Sequence, residues 1–295
     1  MSYEFTETQR DRIINNWGQE IYSRILRDTE IYSKKWGLSD LVFLEYFSIN
    51  AIFFCKSETY GDCVLKIGSN EQDELFVREY SVLREYGGRR FVKAYESDID
   101  IEKRKKAMLI ERCIPGTRLT EEKSLEKRLA VFSNLYNGLH IEPKNPGMYE
   151  YYVQQVCETE AKIFDAYIQK AKDLCFEIIK TYDKNMLLHI DIYGDNIISD
   201  NGGYRLIDPK GVIGDPIFET GQYIFAECCE NGIQPENIET VFGYLEKSIH
   251  IPDNILRQCF YIETVKFISY YASRYGASEW DIERVKFADA VLNGL

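Results

Sequence analysis

Apolar residues Ile14, Trp17, Ile21 and Ile25 recur at helical spacing between Thr6 and Trp36, and Gly37 follows as a stop. This predicts one or two amphipathic helices. From Leu41 to Ile67 the pattern shortens to runs rich in Phe, Val, Ile and Tyr, broken at Ser48-Ile49-Asn50 and Tyr60-Gly61-Asp62, which predicts antiparallel strands joined by turns. Helical period returns over Glu71 to Tyr86, and Phe91 to Tyr95 and Ala107 to Ile110 read as two further strands. After the turn signal Ile114-Pro115-Gly116 the chain becomes mainly helical. Leu125, Leu129, Phe132, Tyr136 and Leu139 mark one helix, and Tyr151 to Tyr182 supplies more. The expected class is α+β in two lobes. Residues 1–110 form an N-terminal lobe of helices and antiparallel sheet with one packing helix, 111–116 a connector, and 117–295 a larger, mainly helical lobe.

Composition narrows the class. The chain has 295 residues, 45% of them apolar and 28% charged, which is globular and enough for two cores. Lys plus Arg is 36 against 48 Asp plus Glu, a net charge of −12, so nucleic acid is not an expected partner. The N-terminus lacks a signal-peptide core, and no apolar run approaches the roughly 20 residues that span a bilayer. The expectation is a cytoplasmic protein without membrane contact. Its 8 cysteines are scattered without a C-x-x-C pair, the pattern of small apolar core residues and not of a zinc site or disulfide framework.

The chemical signal lies in Leu187 to Ile198, which contains H-x-D-x-x-x-x-N at His189, Asp191 and Asn196. Phosphotransferases use this spacing to aim an Asp at an acceptor hydroxyl and an Asn at a metal. The next segment, Ile197-Ile198-Ser199, the turn Asp200 to Gly203, and Tyr204 to Ile207, predicts a hairpin that returns Asp208 beside that loop. Asn196 and Asp208 would then converge as oxygen ligands for Mg²⁺. Upstream, Lys66 is the one ammonium in the apolar strand Cys63 to Ile67, and Glu79 shares the apolar face of the following helix with Phe76, Tyr80 and Leu83, while Glu74 lies on the wetter face. An inward Lys and an inward Glu on neighbouring elements suit a phosphate-gripping ion pair. A snorkelling Lys66 and a partly exposed Glu79 are the plainer alternatives. His189 reads as a buried brace of the loop, and Asp195 as a loop hydrogen-bonding residue.

On these residues, H-I-D-I-Y-G-D-N followed by I-D-P-K-G-V-I-G-D-P-I-F-E, the chain resembles the aminoglycoside phosphotransferases, most of all their streptomycin-kinase and hydroxyurea-resistance branch. The likeness runs over roughly residues 36 to 290, through Trp36-Gly37-Leu38, Val64-Leu65-Lys66-Ile67, Glu79 and Leu109-Ile110-Glu111-Arg112. It implies a protein-kinase-like fold with adenine at the connector, held by backbone groups around Glu111 and Cys113. It further implies that Lys66, oriented by Glu79, holds the α and β phosphates of ATP, that Asp191 is the catalytic base or hydroxyl-positioning residue, and that Asn196 and Asp208 bind Mg²⁺. The expected nucleotide is ATP, and the connector sequence by itself does not separate it from GTP. The loop Phe47 to Phe54 lacks the glycines of a phosphate cover, so Ser48 and Asn50 are the expected donors there. Ile190 stands where regulated protein kinases often carry Arg, which argues against control by activation-loop phosphorylation.

Directly after the metal motif, Gly211 to Glu246 holds seven acids and no Lys or Arg. Part of this stretch is expected to face a cationic acceptor, with Glu219, Glu227 and Glu230 as contacts; a solvated helix surface is the plain alternative. The reading is therefore an ATP- and Mg²⁺-dependent O-phosphotransferase for a streptomycin-like antibiotic, monomeric, with a dimer as the alternative state. The rival readings are a kinase of another hydroxylated metabolite, such as an amino alcohol, ketosamine or thiosugar, and a nucleotide-binding pseudokinase scaffold.

Overall fold

Reciprocal hydrogen bonds between Thr6 and Gln9 open helix α1 (Glu7–Trp17) in the computed structural model, which describes residues 3–45, 49–68, 73–230 and 233–294. Gly18 separates α1 from α2 (Gln19–Trp36), and α2 ends on Gly37 at φ 59°, a left-handed cap that glycine adopts without a Cβ penalty. Strands β1 (Leu38–Phe43), β2 (Asn50–Ser57) and β3 (Gly61–Gly68) follow, then α3 (Asp73–Tyr86), β4 (Ala94–Asp100) and β5 (Lys105–Glu111). They form an antiparallel sheet in the order β1-β2-β3-β5-β4. The described chain divides into two compact units between Gly116 and Thr117.

Strand alternation assigns the two faces of this sheet. Cys55 pairs with Cys63, Phe53 with Leu65 and Ala51 with Ile67, and all six are buried in one cluster with Ile13, Ile25, Tyr32 and Trp36 of α1 and α2. The intervening residues, among them Ile52, Lys66 and Met108 in register, therefore point to the other face. That parity places an ammonium in the interior on the side where α3 supplies Glu79.

The second unit starts within β6 (Pro115–Arg118) and continues through α4 (Leu125–Tyr136), β7 (Glu150–Tyr151), α5 (Tyr152–Cys157), α6 (Asp165–Ile178), β8 (Met186–Leu188), β9 (Ile197–Asp200), β10 (Gly203–Leu206), β11 (Val212–Gly214), α7 (Ile217–Phe225), α8 (Pro235–Ile249), α9 (Asp253–Tyr275) and α10 (Glu279–Leu292). Its hairpin β9–β10 pairs Ile197 with Leu206 and Asp200 with Gly203, as the turn residues require. The short strands β7, β11 and β8 form a second small sheet, which the periodicity did not reveal because two or three residues show no alternation. Helix α7 is buried at every position and packs against α9, which is buried on all sides between Cys259 and Val265. At their crossing a Cβ on Gly221 would lie 2.7 Å from the Cys259 carbonyl carbon and 3.0 Å from Glu263 Cβ, so the close approach requires glycine. Among the described residues no helix is long and apolar enough to cross a membrane.

Candidate functional site

In the first unit Lys66 is 3% exposed, and its Nζ donates to both Glu79 oxygens at 2.8 and 2.7 Å. A buried ammonium this close to a carboxylate is a paired charge, and the snorkelling alternative does not apply. Asn50 opens β2 opposite Gly68 and is buried; Ser48 lies outside the described residues. Glu111 closes β5, its carboxylate accepting the Lys93 N–H at 3.0 Å, and Cys113 is buried just beyond it.

In the second unit the loop between β8 and β9 carries Asp191 on a strained backbone. Ile190 sits at φ 53°, a left-handed conformation that a β-branched residue rarely adopts, and Asp208 sits at φ 55°. Neighbouring groups hold this shape. The Ile190 N–H donates to Glu219 Oε1 at 3.1 Å, and the His189 N–H donates to the same oxygen. The Asp191 N–H donates to His189 Nδ1 at 3.1 Å, and His189 Nε2 donates to the Ile207 carbonyl at 2.8 Å. That pattern needs the neutral imidazole. Burial pushes the His189 pKa below its ordinary 6.5, overriding the pull of Glu219 and Asp191 in the other direction.

Asp191 is positioned through both its backbone and its carboxylate. Asn196 Nδ2 donates to the Asp191 carbonyl at 2.8 Å and stands 3.3 Å from Oδ2, while Lys210 Nζ and Gln222 Nε2 each meet Oδ1 at 2.9 Å. The Asp191 side chain keeps 19% of its surface exposed. Because the Asn196 NH₂ is spent on the loop backbone, its Oδ1 is turned the other way. The Ile207 N–H donates to the Asn196 carbonyl at 3.0 Å, closing the hairpin so that Asp208 emerges next to Asn196. An amide oxygen and a carboxylate are the hard donors Mg²⁺ takes, with phosphate oxygens and water completing its octahedron, so this pair fits that ion.

Asp195 is tied back by Thr120 Oγ1 at 2.5 Å and Arg118 at 3.6 Å. Beside it a Cβ on Gly194 would lie 2.7 Å from Thr120 Cγ2, so glycine lets the loop lie against Thr120. Both His189 and Asp195 thus serve the loop, as their sequence context suggested.

No protein-family model and no curated protein matches the chain by sequence. Solved structures do match it in three dimensions. A thermostable mutant of aminoglycoside phosphotransferase APH(4)-Ia in ternary complex with ADP and hygromycin B is 15% identical, covering 90% of this chain and 97% of that one, with a TM-score of 0.62. Choline kinase LicA from Streptococcus pneumoniae is 15% identical over 91% of this chain and 100% of its own, at 0.59. A protein assigned as a fructosamine-3-kinase from Thermobifida fusca is 11% identical over 90% and 98%, at 0.60. The fold is protein-kinase-like.

Within that kinase-like fold the acidic stretch does not behave as expected. Glu219 is 0% exposed; its Oε1 takes the two loop N–H groups and its Oε2 meets His140 Nε2 at 3.0 Å. Burial alone would raise its pKa, but His140 and the loop N–H donors outweigh burial and hold it below the ordinary 4.5. Glu227 is clasped by Arg128, whose Nε lies 3.0 Å from each oxygen and whose Nη2 lies 2.8 Å from Oε2. Neither carboxylate is available to an acceptor, and both assignments are withdrawn. The Glu230 side chain lies outside the described residues. Asp215 accepts the Lys184 and Ile217 N–H groups, Glu246 accepts the Asp253 N–H, and the largely exposed Glu239 pairs with Arg257 at the surface. The sequence showed the excess of acid here but not that Arg128, His140 and Arg257 arrive from distant segments to meet it.

Two residues of the site were not singled out from sequence, Lys210 and Gln222. Lys210 could have been noticed as the last cation before a long stretch without any. Burial tends to lower its pKa, and the Asp191 carboxylate more than reverses this, so the ammonium stays charged. Gln222 gave no signal, since one amide in an apolar helix has no partner in sequence.

The buried groups give stability a defined pH dependence. With its folded pKa below 6.5, His189 contributes fully above that value, and its contribution is lost as pH falls toward the folded pKa, because the unfolded chain takes up the proton first. Glu219 has the same sign, its contribution being lost below about 4.5. Between pH 6.5 and 5, unfolding free energy should therefore fall more steeply in the parent chain than in His189→Gln, by at most about 1.4 kcal/mol per pH unit. Urea denaturation at three pH values measures this, and equal slopes in the two proteins would show that His189 does not titrate there.

Proposed function

We propose that the chain is an ATP-dependent phosphotransferase acting on a hydroxyl of a small molecule. The observation that carries the reading is the Asp191 carboxylate, held on a strained, braced loop with Asn196 bonded to its backbone and Asp208 delivered beside it. In this reading Asp191 orients the acceptor hydroxyl and accepts its proton. Asn196 and Asp208 hold Mg²⁺, which supplies charge neutralisation at the phosphates when bound. Lys66, oriented by Glu79, contacts the α and β phosphates; Ser48 and Asn50 supply donors to them, and backbone groups in 111–116, around Glu111 and Cys113, hold the base.

For the acceptor we propose an amine-bearing molecule of the aminoglycoside type, in line with the likeness in Leu187 to Glu219. The kinase-like neighbours are named for an aminoglycoside, choline and a fructosamine. The internal use of Glu219 and Glu227 favours a second reading, a singly charged amino alcohol or ketosamine, because it removes two of the carboxylates a polycation would need. Incubation with ATP, Mg²⁺ and a panel of aminoglycosides and hydroxylated metabolites, followed by ADP release and product mass, is expected to show one acceptor gaining one phosphate. Nucleotide binding without transfer to any member would mean a scaffold.

A further inference from the structure

We propose that Gln222 and Lys210 are positioning residues which saturate Oδ1 of Asp191 and so assign Oδ2 to the acceptor hydroxyl. This rests on the phosphotransferase reading and extends it to two residues and one oxygen atom. The Ile192 N–H donates to Gln222 Oε1 at 3.0 Å, which leaves the amide one orientation, with Nε2 toward Asp191 Oδ1 at 2.9 Å. Gln222 therefore measures the Asp191 carboxylate against the backbone one residue later. It belongs to α7, where every position is buried. Lys210 Nζ reaches the same oxygen at 2.9 Å from the other side, and its own backbone N–H donates to the His189 carbonyl at 3.0 Å, so the cation is anchored to the loop it serves.

The two oxygens of Asp191 are consequently unequal. Oδ1 carries two strong donors, whereas Oδ2 has only the 3.3 Å contact with Asn196 Nδ2 among the described residues. Two donors on Oδ1 leave its charge compensated, and Oδ2 is the oxygen with acceptor capacity toward a new donor. In the transfer step the hydroxyl oxygen forms its bond to the γ-phosphorus while the bond from phosphorus to the β,γ-bridging oxygen breaks. The bridging oxygen keeps the electron pair in ADP, and the hydroxyl proton passes to Oδ2. A carboxylate free to rotate would present either oxygen and misplace the hydroxyl, an error of about 1 Å that costs on the order of a hundredfold in rate.

The test uses the full chain with ATP, Mg²⁺ and the acceptor found in the panel. Gln222→Leu and Lys210→Met are each expected to lower kcat about thirtyfold or more with the nucleotide KM within about twofold, and Lys210→Arg to restore at least about a third of the parent kcat. Kcat within about threefold of the parent in both variants would overturn the inference while leaving the phosphotransferase reading intact. Failure of the parent to phosphorylate any acceptor would overturn both. A second measurement does not need turnover: the Gln222 side-chain amide resonances, assigned by their loss in Gln222→Leu, should shift and exchange faster with solvent in Asp191→Ala. Resonances unmoved by Asp191→Ala would exclude the Gln222–Asp191 bond and the inference with it.

Discussion

Asp191→Asn is expected to reduce phosphoryl transfer by about a thousandfold or more while nucleotide affinity changes less than about threefold. The substitution keeps the volume and one oxygen, but it removes the negative charge and the site that takes the hydroxyl proton. It also reverses the local polarity. An amide NH₂ at either position would face Lys210 and Gln222 donors or the Asn196 NH₂, so one donor–donor contact is unavoidable. These contacts leave Lys66, Glu79 and the 111–116 connector untouched, and Asn196 meets Asp191 through its NH₂ while keeping its oxygen for Mg²⁺, which is why binding and rate should separate. Steady-state kinetics beside a direct titration with a non-hydrolysable nucleotide resolves the two. A loss of nucleotide affinity as large as the loss of rate would remove Asp191 from the acceptor side of the reaction. Asp208→Ala provides the contrast, since loss of a charged Mg²⁺ ligand weakens Mg²⁺-nucleotide binding itself.

Glu219→Leu should lower unfolding free energy by about 3 to 5 kcal/mol, the range for stranding the partners of a buried charge. The carboxylate is the shared acceptor for His140 and for the N–H groups of His189 and Ile190, and Leu leaves these donors buried without it. Ile190 would also lose the bond that stabilises its left-handed backbone, so the Asp191 loop should relax and activity fall with stability. Glu219→Gln should cost much less, about 1 to 2 kcal/mol. Its remaining oxygen still accepts the two backbone N–H groups, and His140 can offer an unprotonated nitrogen to the new NH₂. Urea denaturation of the three proteins gives the comparison. A Leu variant within about 1 kcal/mol of the parent would mean that the Glu219 hydrogen bonds are not what holds the loop.

Local sequence was sufficient wherever the physics is local. Gly37 ends α2 because left-handed caps favour glycine, the turn Asp200 to Gly203 makes a hairpin whose register can return Asp208 only beside Asn196, and strand parity places Lys66 on the face opposite Phe53 and Leu65. The α+β class followed from the change of period at Ile114-Pro115-Gly116, and the three-dimensional likeness to kinases agrees with it. The roles of the acids between Gly211 and Glu246 could not be settled this way. A carboxylate reads the same whether it faces solvent, a ligand or Arg128, and its partner is 99 residues away for Glu227 and 79 for Glu219. Tertiary packing alone decided that Glu219 braces the Asp191 loop, that Glu227 is spent on Arg128, and that Gln222 and Lys210 converge on one oxygen of Asp191. Hydrogen bonds and ion pairs act over a few ångströms of space, whereas periodicity reports only burial and spacing along one element, so contacts closed across many residues leave no local trace.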